Sequence, residues 1–277
     1  MRKILAVVLA LSMVATVVYA CGISHKKYIT WDLEDNCIRQ YKMSEDAANT
    51  TVVDTMGNDD GTASVNTNVL ACSGKLAGGF DFDGADDYIG GMNTGAAIDS
   101  QDLTISFWMR IEGAGLGSML GIIGDQFSDD IAGWAQMGWS IYVDTNVKLV
   151  AYTAGGVGNN YKYSNTAALS LNTWYFVTCC LSNSTSGTNE IYINGIYAVD
   201  ASGSNGASAG VFSGSGNIYM GGLWDISDGA VKNYFFDGKI DNLCIYDKEL
   251  SEREIKGIYN NGRGTENNKG YYVGSGK

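Results

Sequence analysis

Nine consecutive residues, Leu103-Thr-Ile-Ser-Phe-Trp-Met-Arg-Ile111, alternate without a break, so that Leu103, Ile105, Phe107, Met109 and Ile111 share one face. A period of two is the mark of a strand with one buried side, and a helix cannot use it. The same period recurs along the chain. Residues 139–144 and 148–153 read as a hairpin across Thr145-Asn146, and residues 173–181 as another core strand. Residues 190–195 and 196–198 meet at Asn194-Gly195, the dipeptide that best suits a two-residue hairpin turn. Residues 217–221 supply a further strand.

A helical period enters only near the end, in residues 236–262. Alternation over 239–246 predicts Ile240, Asn242, Cys244 and Tyr246 on one face, with Asp241, Leu243 and Ile245 on the other. The pattern then switches. Ser251 stands three residues ahead of Glu254 as a capping box, Ile255 and Ile258 form a short apolar stripe, and Gly262 marks the stop. Asp241 lies inside the strand among large apolar residues, so its carboxylate needs hydrogen-bond donors or a cation.

Many short strands and one late helix imply an all-β, two-sheet antiparallel sandwich. Composition agrees: there are 37 glycines and no proline, so turns must rest on Gly, Asn and Asp. A chain of 277 residues suits one large β domain. The net charge of −12 argues against nucleic acid and anionic membranes, which need a basic footprint. It suits a partner such as a glycan, a surface polymer, a divalent cation or another extracellular protein.

The N-terminus reads as an export signal. Arg2 and Lys3 precede an apolar run over residues 4–18, which ends in Val18-Tyr19-Ala20. Cleavage there exposes Cys21 and leaves two readings, free secretion or a lipid anchor at Cys21. No other apolar run approaches the ~18 residues that a spanning helix needs. The expected layout is a signal peptide over 1–20, an N-terminal arm over 21–37, the sandwich over 38–262 and a flexible polar tail over 263–277. Export permits disulfides among Cys21, Cys37, Cys72, Cys179, Cys180 and Cys244. Cys37 and Cys72 flank the first hairpin region and are the first pair expected. Cys179 and Cys180, adjacent on a strand, must face opposite sides.

The motifs, taken in order, resemble the LamG-like jelly-roll domains of the concanavalin A-like lectin/glucanase superfamily. Tyr41-Lys-Met-Ser-Glu-Asp46, Thr51-Val-Val-Asp54 and Gly57-Asn-Asp-Asp-Gly61 are similar to the family's opening strand and loop. Phe80-Asp-Phe-Asp-Gly84 with Asp86-Asp-Tyr88 resembles its FDG-x-DDY segment, and residues 104–109 its T-I-S-F-W strand. Asn172-Thr-Trp174, Tyr192-Ile-Asn-Gly195 and Gly238-Lys-Ile-Asp241 through Ile255 follow in the family's order. Asn242 departs from the pattern, standing where many relatives carry a second acid.

The resemblance implies two curved antiparallel sheets in a jelly roll, one short C-terminal helix and a structural Ca2+. The candidate metal ligands are Asp54, Asn58, Asp60, Asp83 and Asp241, with Asp241 and Asn58 foremost. Calcium takes six to eight oxygens, which acidic Gly-containing turns can offer. The spacing is not that of an EF-hand, because Met56 occupies the first ligand position. The competing reading of the same residues is solvated Asx turns.

Three loops mix aromatic rings with amides and acids, as saccharide recognition requires. They bring Asp129, Asp130 and Trp134; Asn159, Asn160 and Tyr161; and Trp224, Asp225 and Asp228 as ligand-binding candidates. Trp108 and Trp174, inside strands, are expected in the core. Catalysis finds little support: the E-x-D-x-x-E string of retaining glucanases of this fold is absent, and the single histidine, His25, lies outside every domain motif. The expectation is therefore a secreted or surface-anchored, non-catalytic recognition module, carbohydrate-binding or adhesive and calcium-stabilised. The alternatives are a structural envelope or extracellular-matrix protein that binds other proteins, and a glycoside-active enzyme of the superfamily.

Overall fold

The computed structural model describes residues 28–57, 59–93, 102–113, 119–125, 138–154, 161–184, 186–205, 217–225, 230–231, 234–266 and 269–273. The expected export signal, Cys21 and His25 lie outside them. The chain opens with β1 (Tyr28–Asp32), β2 (Cys37–Tyr41), β3 (Thr51–Val52), β4 (Gly61–Ala63), the one-turn helix α1 (Thr67–Leu70), β5 (Ala71–Ser73), β6 (Gly78–Asp83) and β7 (Ile89–Asn93). The long strands follow: β8 (Leu103–Ile111), β9 (Leu120–Gly124), β10 (Gly138–Val143), β11 (Lys148–Ala154), β12 (Tyr161–Ala168) and β13 (Trp174–Leu181). Then come β14 (Glu190–Ile193), β15 (Ile196–Tyr197), β16 (Ala201–Asn205), β17 (Asn217–Met220), β18 (Trp224–Asp225), β19 (Ala230–Val231), β20 (Asp237–Tyr246), α2 (Glu252–Tyr259) and β21 (Lys269–Val273).

Two antiparallel sheets make the sandwich. One runs β16-β12-β11-β10-β9-β17-β7-β4-β3, and the other β15-β14-β13-β8-β20-β6-β5, with β2 beside the C-terminal half of β20. The main core lies between them. Leu103, Ile105, Phe107, Met109 and Ile111 all enter it, as their alternation predicts, and meet Trp139, Ile141, Leu149 and Met220 from the facing sheet. Burial of these side chains stabilises by roughly 1.5–3 kcal/mol each before the entropy of ordering the chain is counted. The predicted hairpin turns are present, with Asn194 and Gly195 at φ 54° and 74°.

Trp108, on the opposite face of β8, joins a second cluster with Phe176, Cys180, Tyr192, Cys244, Tyr246, Ile255 and Ile258. Its ring lies 5.1 Å from that of Phe176 and 6.0 Å from that of Tyr259. Helix α2 therefore covers the outer face of this sheet. Its capping box is formed: Glu254 N–H donates to Ser251 Oγ, and Ser251 N–H to Glu254 Oε2 at 2.8 Å. Asn260 ends it in the left-handed conformation.

Three expectations need correction. The strict alternation over 239–246 breaks, since Ile240 shares the inner core with Leu243 and Ile245 while Cys244 and Tyr246 face outward. The cause is a bulge at Asn242, whose φ of 49° inserts an extra residue against β8. Cys37 and Cys72 cannot be partners. Cys37 sits opposite Tyr246, whereas Cys72 sits opposite Gly79, beside Phe80, which pairs with Ile240. That is a separation of roughly 15 Å along the sheet, against the ~7 Å limit for bridged Cα atoms. Among the described residues Cys72, Cys179, Cys180 and Cys244 are free thiols, and Cys179 and Cys180 do face opposite sides. Finally, the polar tail is not loose throughout: β21 pairs with β1 from the N-terminal arm, Tyr28 opposite Val273 through Asp32 opposite Lys269.

Candidate functional site

The acidic residues do not converge on one centre. Asp54 is buried and acts as a loop anchor: its Oδ1 accepts N–H bonds from Gln40 at 2.9 Å and Met56 at 3.0 Å, and its Oδ2 one from Asp59 at 3.2 Å. The Arg39 guanidinium, 3.8 Å away, balances its charge. Asp60 turns back to accept the Asp54 N–H. A carboxylate surrounded by donors and a guanidinium is satisfied without a metal. Asp241 likewise accepts both the Lys75 and Leu76 N–H groups on Oδ2 at 2.7 Å. Burial nevertheless outweighs those two donors and lifts its pKa to about 6. Asn58 lies outside the described residues.

Asp83 belongs to a third group. Among the described residues, one carboxylate oxygen from each of Asp83, Asp86 and Asp87 lies within 4.8 Å of the other two. They occupy the turn after β6, where Asp83 Oδ1 accepts the Ala85 and Asp86 N–H groups and Asp87 Oδ2 accepts that of Asp83. Those backbone donors hold the Asp83 carboxyl below its ordinary value. Asp87 moves the other way, raised by burial and by the neighbouring Asp83, Asp86 and Asp81 charges. Of the five metal candidates, the fold therefore groups Asp54 with Asp60 and leaves Asp83 and Asp241 in separate places.

A different assembly forms on the outer face of the nine-stranded sheet. In β10, β11 and β12 the residues between the core-facing positions are Ser140 and Tyr142, Val150 and Tyr152, and Tyr161, Tyr163 and Asn165. Strand register aligns them into a row. Gly203 pairs with Tyr163, Tyr163 with Tyr152, Tyr152 with Ser140, Ser140 with Gly124, and Gly124 with Tyr219. Glycine has a reason at both ends. A Cβ on Gly203 would come within 2.8 Å of the Tyr163 ring, and one on Gly90 within 2.9 Å of the Tyr219 ring. Leu223 lies over Gly121 and Gly124 at the middle of the row.

Tyr152 and Tyr161 stack with centroids 5.5 Å apart, and Tyr163 lies 6.3 Å from Tyr161. Tyr152 is 7% exposed and Ser140 2%. Tyr152 Oη, Ser140 Oγ and Asn165 Oδ1 are all buried, and none has a hydrogen-bond partner among the described residues. An unpaired buried polar atom costs about 1–3 kcal/mol, and three on one face of three adjacent strands are a concentrated liability. Burial and the Asp144 charge lift the Tyr142 phenol to about 12, and burial raises that of Tyr152 as well, so both are neutral donors at physiological pH.

Of the residues proposed from sequence, Tyr161 belongs to this row. Asp129, Asp130, Trp134, Asn159, Asn160 and Asp228 lie outside the described residues. Trp224 and Asp225 form β18, paired with β19, and only their backbone is described. The loop-based reading missed Ser140, Tyr152 and Asn165. Alternation over 161–165 could have shown Tyr161, Tyr163 and Asn165 sharing a face, but nothing local aligns them with Tyr152 and Ser140.

The fold defines a class, the two-sheet antiparallel jelly-roll sandwich. The profile of the concanavalin A-like lectin/glucanases superfamily matches residues 83–256, and the chain belongs to that LamG-like family. No curated protein matches it. Among solved structures, the binding domain of botulinum neurotoxin serotype D superposes with a TM-score of 0.59 at 21% identity, over 82% of this chain and 52% of that one. The receptor binding domain of a botulinum neurotoxin C/D mosaic serotype gives 0.59 at 20%, over 82% of this chain and 51% of the other. A Trypanosoma rangeli sialidase in complex with the inhibitor DANA gives 0.52 at 15%, over 79% and 32%. The chain thus spans about half of the toxin domains and a third of the sialidase, and these likenesses concern the fold alone.

Proposed function

We propose that the protein is a secreted or surface-anchored, non-catalytic recognition module that binds saccharide on the tyrosine-bearing outer face of the nine-stranded sheet. The observation that carries this reading is the pair of half-buried rings Tyr161 and Tyr163, with centroids 6.3 Å apart on the outer side of β12. Phenol rings offer flat apolar platforms for the C–H face of a sugar ring, and their own hydroxyls can bond its hydroxyls. A glycan array on the purified protein is expected to return a saccharide. Tyr161→Ala should then weaken its binding about tenfold, the order expected for an aromatic anchor at an interface. An array without any binder sinks this reading and leaves a structural protein that binds other proteins.

The same reading includes a calcium ion, held at Asp83, Asp86 and Asp87 rather than by the dispersed set expected from sequence. Support comes from the mutual closeness of the three carboxylates and from the burial and like-charge repulsion that together raise Asp87, the second of which a cation relieves. The melting temperature is expected to rise with free calcium, to fall in EGTA and to lose that dependence in Asp87→Asn. A melting temperature indifferent to calcium removes the ion from the proposal and leaves the turn as solvated scaffolding.

A further inference from the structure

Residues on the opposite side of β12 from the tyrosines form a second site. Beyond β11 the inner surface of the sheet changes character: Lys162, Ser164 and Thr166 point between the layers where β10 and β11 place apolar side chains. Here, at the edge of the sandwich, a cleft of about 300 Å3 opens between β12–β16 and residues 186–189. Its described lining holds the hydroxyls of Ser186, Thr188, Ser202 and Ser204, and its one charged side chain is Lys162. In a chain of net charge −12, a cleft with an ammonium and no carboxylate among its described residues is an unusual place.

Lys162 is 3% exposed. Its Nζ donates to Ser182 O at 2.8 Å and Ser184 O at 2.6 Å, which clamps the turn. An ammonium has three N–H donors, and the third has no protein acceptor among the described residues. No carboxylate among them lies within ion-pair distance, and the one acid that acts on it, Asp102, gives its Oδ1 to the Asn183 N–H. Burial accordingly pulls the Lys162 pKa down, with Asp102 only partly opposing. A buried cation held by two carbonyl dipoles alone lacks its counter-charge.

We infer that this edge cleft binds an oxyanion, the carboxylate, sulfate or phosphate group of a small ligand, with Lys162 as its cation and the Thr188, Ser202 and Ser204 hydroxyls as further donors. Charge-assisted hydrogen bonds of this kind are the strong ones, and a cleft of this size admits a free ion or one acidic sugar ring. Lys162 and Tyr163 point to opposite sides of the strand, so the ammonium faces away from the tyrosine row, while Tyr163 and Gly203 border both places.

The test is an NMR titration of the full chain with sodium sulfate, sodium phosphate and sodium glucuronate at constant ionic strength, with glucose as the neutral control. The expected result is a saturable shift of the amides of residues 186–189 and 202–204 with at least one anion, and none with glucose. Glucuronate binding more tightly than sulfate or phosphate identifies an acidic sugar; the reverse identifies a free ion. The Lys162 ammonium should titrate at higher pH when the anion is bound. Lys162→Met should abolish the shifts, but it also releases the turn. The double variant Thr188→Val, Ser204→Ala leaves that clamp intact and should weaken binding about tenfold. Absence of a saturable shift with all three anions, an equal response to glucose, or unchanged affinity in the double variant overturns the inference and leaves Lys162 as a turn clamp.

Discussion

Asp241 shows how a single residue can be singled out from sequence while its partners stay hidden. Its place among apolar neighbours demanded partners, and a cation was one of two answers; the fold supplies the other, the adjacent N–H groups of Lys75 and Leu76. The reason is tertiary, since residues 165 and 166 positions away cannot be read as neighbours. Because burial raises its pKa to about 6, the sign of its effect on stability is fixed. The stability it contributes is fully present below its unfolded value of 3.8 and is lost as pH rises through about 6, a change of about 3 kcal/mol. Urea midpoints measured from pH 4 to 7 should therefore fall for the wild type and stay nearly flat for Asp241→Asn. A wild-type midpoint that climbs over that range contradicts the burial argument. Asn242, next in line, takes a left-handed φ that asparagine tolerates better than most residues. Its side chain accepts from Gln40 Nε2 and donates to Thr265 O, so it joins β2, β20 and the segment after α2.

At the scale of elements, the clearest signals were those that local physics alone decides. The capping box of α2, the Asn194-Gly195 turn and the inward face of β8 each depend on a few neighbouring residues, and each appears where the sequence put it. Ser251→Ala should cost about 1 kcal/mol of unfolding free energy, because the Glu254 N–H loses its acceptor at the helix start. Hydrogen exchange should speed in the first turn of α2 and remain unchanged in β8; equal acceleration in both would show that the cap acts through the whole domain. Elements whose placement depends on distant partners were less legible. The bulge in β20 reverses which side Ile240 and Asp241 take, since a one-residue slip moves side chains to the other face. Pairing of β1 with β21 joins two five-residue segments, too short to carry a periodic signal of their own.

For the whole molecule, the absence of proline has a kinetic consequence. No prolyl bond can isomerise, so refolding of the reduced protein should contain no phase that a prolyl isomerase accelerates. Double-jump refolding with and without the isomerase checks this, and an accelerated slow phase would contradict it. Slow steps that remain belong to the topology, in which β2 must find β20 across some 200 residues. The fold class, the inward face of β8, the late capped helix and the outline of the family were legible from residues alone, because they follow from periods, caps and turn residues within short windows. Only the tertiary structure decided which polar residues gather. Register across β16, β12, β11, β10, β9 and β17 makes one row of Tyr163, Tyr152, Ser140 and Tyr219. The meeting of two sheet edges brings Lys162 to a cleft of hydroxyls, and long-range hydrogen bonds distribute the acids over three places. Local chemistry selects each strand, but a site is a property of strands brought side by side.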